Sequence, residues 1–305
     1  MSVDRLPVAL IYTITCSIGM TGNVIMIICA VRNPKFRSPC HIMITLLCFC
    51  DILNQSGTVS YSISIFFNIL STQSTCFLIQ LIPISGAAAG SASILVIGID
   101  RFLAVHFPTW YRTIDHRKNR YTVIMMIFPV VYSVSVVQLG NAFRETEDES
   151  LSLCFFPRAM NGLSYKIYLH SALLMNLSII FIYSTVYWLL KKRKTSSQFK
   201  KVFHSLAVTV ILVLFGYFTS VIWSIISITA AGDATRYESF ALYSGVPVNI
   251  SLSANVFVFY VMNPDYRKTI KSLFGCFLFR ANGNEGTLTT CFRTSFPKNK
   301  VDSSP

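Results

Sequence analysis

Asp100 and Arg101 are adjacent opposite charges at the end of a long apolar stretch, Ser74 to Val105. An ionic pair at the edge of a membrane span is costly to place and usually functional; as a solvated surface pair it would be worth under about 1 kcal/mol. Asp51, in LCFCDILNQSG, is the one acid placed mid-span. A carboxyl there needs a polar partner, a cation or a proton, and Asn23, Asn249 and Asn255 are the candidate neighbours. Metal-assisted hydrolysis is not expected. The histidines at 41, 106, 116, 170 and 204 include no pair four apart on a helix, and Gly90-Ser91 has no plausible base.

The elements that position these groups are apolar blocks of bilayer length. Of the 305 residues 53% are hydrophobic and 13% charged, with a mean hydropathy of +0.55, where a soluble domain is about 25% charged. Seven spans are read, at about 6–31, 39–68, 74–106, 120–140, 164–190, 201–231 and 237–262. The fold expected is an all-α membrane protein, a seven-helix bundle occupying 1–281. The Gly/Ser/Thr/Asn-rich tail, 282–305, is expected to be disordered. No cleavable leader is expected in the short, mixed-charge stretch 1–5.

Basic residues orient the bundle. With the N-terminus outside, only Arg5, Arg144, Arg158, Lys166 and Arg236 face out, and the other 21 of the 26 Lys and Arg face the cytoplasm. The net charge of +13 is therefore topology, with contact to anionic lipid, and carries no nucleic-acid signal. This orientation leaves Cys76 and Cys154 as the two outer cysteines among nine, where oxidation is permitted. They are expected to bond and form a lid; the alternative is two free thiols. Cys76 lies 25 residues before Arg101, roughly 37 Å along a helix, so one span carries the cysteine outside and the ion pair inside. The small-residue run SGAAAGSAS in that span reads as close helix packing.

After the last span, Pro264 opens a segment in which Tyr266, Ile270, Leu273 and Phe277 share a face and Arg267, Lys268 and Lys271 lie off it. That is a short interfacial amphipathic helix, 264–279, with Cys276 a candidate for palmitoylation or an unmodified thiol.

The span with a cysteine outside and Asp-Arg inside, the block GIDRFLAVHFPTWYR, Arg-Ser-x-Cys-His in the first inner loop and a Gly-aromatic pair in the sixth span together resemble rhodopsin-like seven-helix G-protein-coupled receptors, and among them the Srsx-type nematode chemoreceptors, from about Gly22 to Phe277. Phe102 replaces the usual tyrosine after Asp-Arg. The Asn-Pro-x-x-Tyr motif is not intact, the sixth span lacks Trp-x-Pro and the fourth lacks its tryptophan. Without a proline the sixth span has no ordinary kink, and Gly216 is the alternative source of flexibility.

The resemblance implies a chemosensory receptor of the plasma membrane, N-terminus extracellular and C-terminus cytoplasmic, whose partners are an extracellular ligand and a heterotrimeric G protein. In it Arg101 leaves Asp100 on activation, with Tyr187 and Tyr260 rearranging beside it, and Asn23, Asp51 and Asn255 form a polar network around a sodium ion, the one cofactor in view. By spacing from Arg101, Gln80, Pro83, Ile84 and Ala87 line an outer ligand pocket, with His170, Leu173 and Asn176 from the fifth span and Tyr217, Trp223, Tyr243 and Asn249 from the last two. Pro83 stands where amine receptors carry an Asp, so a small neutral molecule or a short peptide is expected. The sixth span opens Phe199-Lys200-Lys201, and no acid lies between Glu149 and Asp233. No cross-helix ion pair can brace Arg101, like charges repel it from this span, and ligand-free activity is expected. An opsin is excluded by the lack of lysine in 237–262. An enzyme is not expected, and the alternative from another class is a seven-spanning transporter or ligand-gated channel.

Overall fold

The computed structural model describes residues 6–114, 118–143, 151–192, 197–230 and 243–281, without the side chains at 118, 197, 198, 200, 201, 221, 224–230 and 276–281. Its helices are α1 (Leu6–Arg32), α2 (Pro39–Phe66), α3 (Gln73–His106), α4 (Pro108–Thr113), α5 (Lys118–Phe143), α6 (Phe156–Ala159), α7 (Gly162–Lys192), α8 (Ser197–Ala230), α9 (Val246–Ser253), α10 (Asn255–Met262) and α11 (Pro264–Ala281). Among the described residues six are long and apolar enough to cross a membrane by themselves, and the run α9–α10 (Val246–Met262) passes only together with the start of α11, Pro264–Gly275, which brings the number to seven. The architecture is an all-α seven-helix bundle with a short eighth helix.

Local chemistry sets the boundaries. Proline occupies the first turn of α2, α4 and α9, where its missing N–H costs nothing. Asn263 caps α11, its Oδ1 accepting from the N–H groups of Asp265 and Tyr266 at 3.0 and 3.4 Å. The second span ends at Phe66, short of the expected 68. Asn68 adopts a left-handed φ of 52°, Ile69 N–H reaches the Ser64 carbonyl (2.9 Å) and Asn68 N–H the Ile65 carbonyl (3.3 Å), which is a Schellman stop. In the last span the described helix starts at Val246, with 231–242 outside the described residues, and it breaks at Ala254. The chain then turns by 102° into α11. The tail, 282–305, also lies outside the described residues.

α3 is the most buried span and α5 the least. Small residues let α3 approach α2: a methyl on Gly86 would meet the Asn54 nitrogen at 2.6 Å and the Cys50 carbonyl at 2.8 Å. The largest apolar cluster fills the middle and the Arg101 end of the bundle, joining Met43, Ile97, Tyr183, Phe203, Phe259 and Tyr266. A smaller one surrounds Cys76 and Cys154. Outward faces carry exposed Ile, Leu, Val and Phe on every long helix, as a lipid-facing surface does.

Candidate functional site

Asp100 is fully buried and Arg101 is 7% exposed. Arg101 donates Nε–H to Asp100 Oδ2 at 2.9 Å and Nη2–H to the same oxygen. Oδ1, the other carboxylate oxygen, accepts from two phenols, Tyr111 at 2.8 Å and Tyr121 at 3.0 Å. Arg101 Nη2 also reaches the Tyr111 oxygen, at 3.1 Å. Two short-range features position these phenols. α4 starts against the end of α3, with Tyr111 N–H on the Phe107 carbonyl, and Tyr121 sits in the first turn of α5. Burial pushes the Tyr111 phenol above its ordinary range, and Asp100 adds to this against the opposing pull of Arg101, so it remains a neutral donor. A charge this buried is tolerable because both oxygens are paired.

Above the guanidinium lies α8. The Arg101 Cζ is 4.9 Å from the centre of the Phe199 ring, within cation–π range. Repulsion between α8 and Arg101 was the expectation from Lys200 and Lys201, whose side chains lie outside the described residues. The ring adds an attractive contact between Arg101 and α8 that the sequence reading did not include.

Tyr187 does not join this group. It is 58% exposed, on the outward side of α7. The buried stripe of α7 is Met175, Ile179, Tyr183, Val186 and Leu190, a run at spacings of four, four, three and four that misses 187. Tyr183 is the inward tyrosine; its hydroxyl donates to the Ile94 carbonyl of α3 at 3.3 Å and its ring stacks on Phe203 of α8. Tyr260 is half-buried against the main cluster and makes no hydrogen bond to Arg101; the buried ring beside Tyr266 is Phe259. Reading helical periodicity along α7 would have found Tyr183. Tyr121 had no sequence signal, since its approach to Asp100 depends on how the connection after α4 closes.

Asp51 is buried and accepts from Asn255 Nδ2 at 2.7 Å. Asn249 instead takes part in a separate set, with Thr58 at 3.1 Å and the Gly245 carbonyl at 3.0 Å. Asn23 is buried without a hydrogen bond to Asp51. Both its amide atoms, and Asn255 Oδ1, have no partner among the described residues. The unpaired oxygens, Asn255 Oδ1 on the residue that meets Asp51 and Asn23 Oδ1, are hard donors of the kind a sodium ion takes. No group of three or more His, Cys, Asp or Glu able to hold a metal exists among the described residues.

At the other end Cys76 and Cys154 are disulfide-bonded. Ser71 and Ser152 pair their backbones in both directions, at 2.9 and 3.2 Å, and Gln73 Nε2 donates to the Ala159 carbonyl at 2.8 Å. Leu153 packs with Val8, Tyr12 and Tyr61, and Met160 with Phe77. The segment 151–161 is thereby tied down on both sides of the bond.

Among the described residues, those expected to line one ligand pocket are not gathered at one site. Gln80 donates to the Gly57 carbonyl of α2 at 3.4 Å, and Pro83 faces the same glycine. Ile84 is packed in the disulfide cluster, Ala87 is buried, and Trp223 is 37% exposed. His170 and Leu173 are exposed, and Tyr243 packs beside Leu153 and Phe155. α3 is surrounded by neighbours, so positions one turn apart on it face different helices. Asn176 and Tyr217 do meet, with Ser91, Ile94, Ile179, Val210, Val213 and Leu214, at a cavity of about 10 Å³ between α3, α7 and α8, the size of a single water.

α11 is docked on the turn after α1. Tyr266 is fully buried, stacked on Phe36 at 4.1 Å, with its hydroxyl 3.3 Å from His41 Nδ1, and Asn33 Nδ2 donates to Thr269 Oγ1 at 2.9 Å. Ile270 is buried and Leu273 half-buried, while Arg267, Lys268 and Lys271 are exposed. The Cys276 side chain lies outside the described residues.

The family described as serpentine type 7TM GPCR chemoreceptor Srsx matches residues 16–274 of the chain. G-protein coupled receptor 183 of Homo sapiens is 24% identical over 159 residues, which cover 51% of this chain and 44% of that receptor; the chain thus spans less than half the length of this curated relative.

Proposed function

The chain belongs to the Srsx family of serpentine seven-helix G-protein-coupled chemoreceptors, and from that premise we propose that it converts binding of an extracellular small molecule or short peptide into activation of a heterotrimeric G protein. It does so from the plasma membrane, with the N-terminus outside and the basic Arg101 end in the cytoplasm.

The observation that carries this reading is the buried Asp100–Arg101 pair with its two phenols and the Phe199 ring over the guanidinium. In the resting packing Asp100 neutralises Arg101, and α8 covers it. A ligand favours a second packing only through its greater affinity for that state. In that state the inner end of α8 leaves α3, Arg101 is uncovered, and it offers its guanidinium to carbonyl and carboxylate groups at the C-terminal tail of the G protein.

Asp51, with the amide oxygens of Asn255 and Asn23, would hold a sodium ion. The ion would supply a positive charge to a buried carboxylate and so favour the packing that keeps those oxygens together. The ligand carries no ammonium for α3 to pair, because the outer positions of α3 carry no acid and an unpaired ammonium there would be expensive. A ligand that used the cavity between α3, α7 and α8, the size of one water in this packing, would widen it on entry.

A panel of small neutral compounds and short peptides, screened on surface-expressed receptor with a G-protein reporter, tests the reading. Ligand responses that vanish in Arg101→Ala at equal surface expression are expected. Ligand-gated current or flux that persists in that variant, without a G-protein signal, would replace it.

A further inference from the structure

α8 has no proline to bend it, since none lies between Pro157 and Pro247. It has instead a close seam with α9. The Ser251 hydroxyl is 2.8 Å from the Leu212 carbonyl of α8 and 2.8 Å from the Pro247 carbonyl of its own helix. A hydroxyl carries one hydrogen, so it serves one carbonyl or divides itself between two. Gly216, whose N–H is the helical donor to the same Leu212 carbonyl, is buried against that hydroxyl. A methyl at 216 would lie 2.4 Å from Ser251 Oγ and 2.8 Å from the Pro247 carbonyl. The bare Cα at 216 is what lets the two backbones meet.

We propose that Ser251 is a two-position clasp: its hydroxyl holds α8 on α9 through Leu212 in the resting packing and falls back to Pro247 when α8 swings about Gly216. Release leaves nothing orphaned. The hydroxyl hydrogen keeps the Pro247 carbonyl, and the Leu212 carbonyl keeps the Gly216 N–H. Opening therefore costs one interhelical hydrogen bond, roughly a fivefold change in population (about 1 kcal/mol), and avoids the larger penalty of an unpaired buried group. The opposite side of α8 at this level, Val213, Leu214 and Tyr217, borders the cavity shared with α3 and α7. The seam thus has close-packed backbone on one side of α8 and a gap of one water's size on the other. Ser251 acts on Arg101 only through α8, so it is a positioning residue.

The signalling half of the test rests on the G-protein reading, and the distance half does not. In purified full-length protein, nitroxide labels would be placed at Arg37→Cys and His204→Cys, both exposed positions, with label-accessible native cysteines replaced by serine. Ser251→Ala is expected to raise the longer-distance population about fivefold, and Gly216→Ala to shift it the same way by wedging the seam. In cells, ligand-free reporter signal at equal surface expression should rise about fivefold in Ser251→Ala and fall to background when Arg101→Ala is added. An unchanged distance distribution in both variants overturns the clasp, whatever the signal does. Longer distances with no signal in any variant support the clasp and remove the G-protein reading instead.

Discussion

Tyr121 donates its phenol hydrogen to Asp100 Oδ1 at 3.0 Å from 21 residues further along the chain, and so ties the first turn of α5 to the ion pair at the end of α3. With Tyr111 on the same oxygen, the carboxylate is held from two elements while its other oxygen holds Arg101. Hydrogen bonds to a charged group contribute about 1.5–3 kcal/mol, and Tyr111 would retain part of that after Tyr121 is lost. Tyr121→Phe should therefore raise ligand-free signalling roughly three- to tenfold, read with a G-protein reporter at matched surface expression. A basal level equal to wild type would show that the second phenol has no part in the resting state.

Phe199 is the described contact between α8 and the guanidinium. A cation–π contact of about 1 kcal/mol corresponds to roughly a fivefold population change. Phe199→Ala should raise basal signalling by that factor, while Phe199→Trp keeps it near wild type. The neighbouring cations act in the opposite sense, so Lys200→Glu or Lys201→Glu should lower it. Equal basal signal in Phe199→Ala and Phe199→Trp would separate the ring's charge interaction from the switch.

Cys76–Cys154 closes a long loop, and losing such a bond typically costs about 2–4 kcal/mol. Cys154→Ser should reduce surface expression and lower the melting temperature of purified receptor by several degrees. Peptide mapping without reductant should recover residues 76 and 154 as one linked species from wild type. Free thiols at both positions in surface protein would contradict the bond.

Asp51→Asn removes the carboxylate while keeping an amide that can still meet Asn255. Wild-type receptor should melt higher in sodium chloride than in choline chloride at equal ionic strength, as binding to the folded state requires, and the variant should not distinguish the salts. A sodium response that survives in Asp51→Asn would place the ion elsewhere.

Much of the bundle was legible because a bilayer imposes length and composition directly. The first six spans, the bridging of Cys76 to Cys154 and the apolar face of α11 through Tyr266 and Ile270 all follow from run length, the distribution of basic residues between connectors or a three-to-four-residue period. What failed was orientation around a helix axis and closure across loops. The resemblance points to Tyr187, whereas the tyrosine on the buried stripe of α7 is Tyr183. Gln80 and Pro83 face α2, not a pocket, because α3 has neighbours on several sides and a register counted from Arg101 cannot say which neighbour each turn meets. The stop at Asn68 depends on one left-handed residue, and the contact of Tyr121 with Asp100 on a connection that joins two helices; neither has a periodic signature.

The stacking of Tyr266 on Phe36 and the bond from Asn33 to Thr269 root α11 in the turn between α1 and α2. α11 is therefore fixed to α1 and α2, since none of those contacts involves a residue of α8. The travel of the inner end of α8 can thus be read against α11 as a fixed reference, from Lys271 outward.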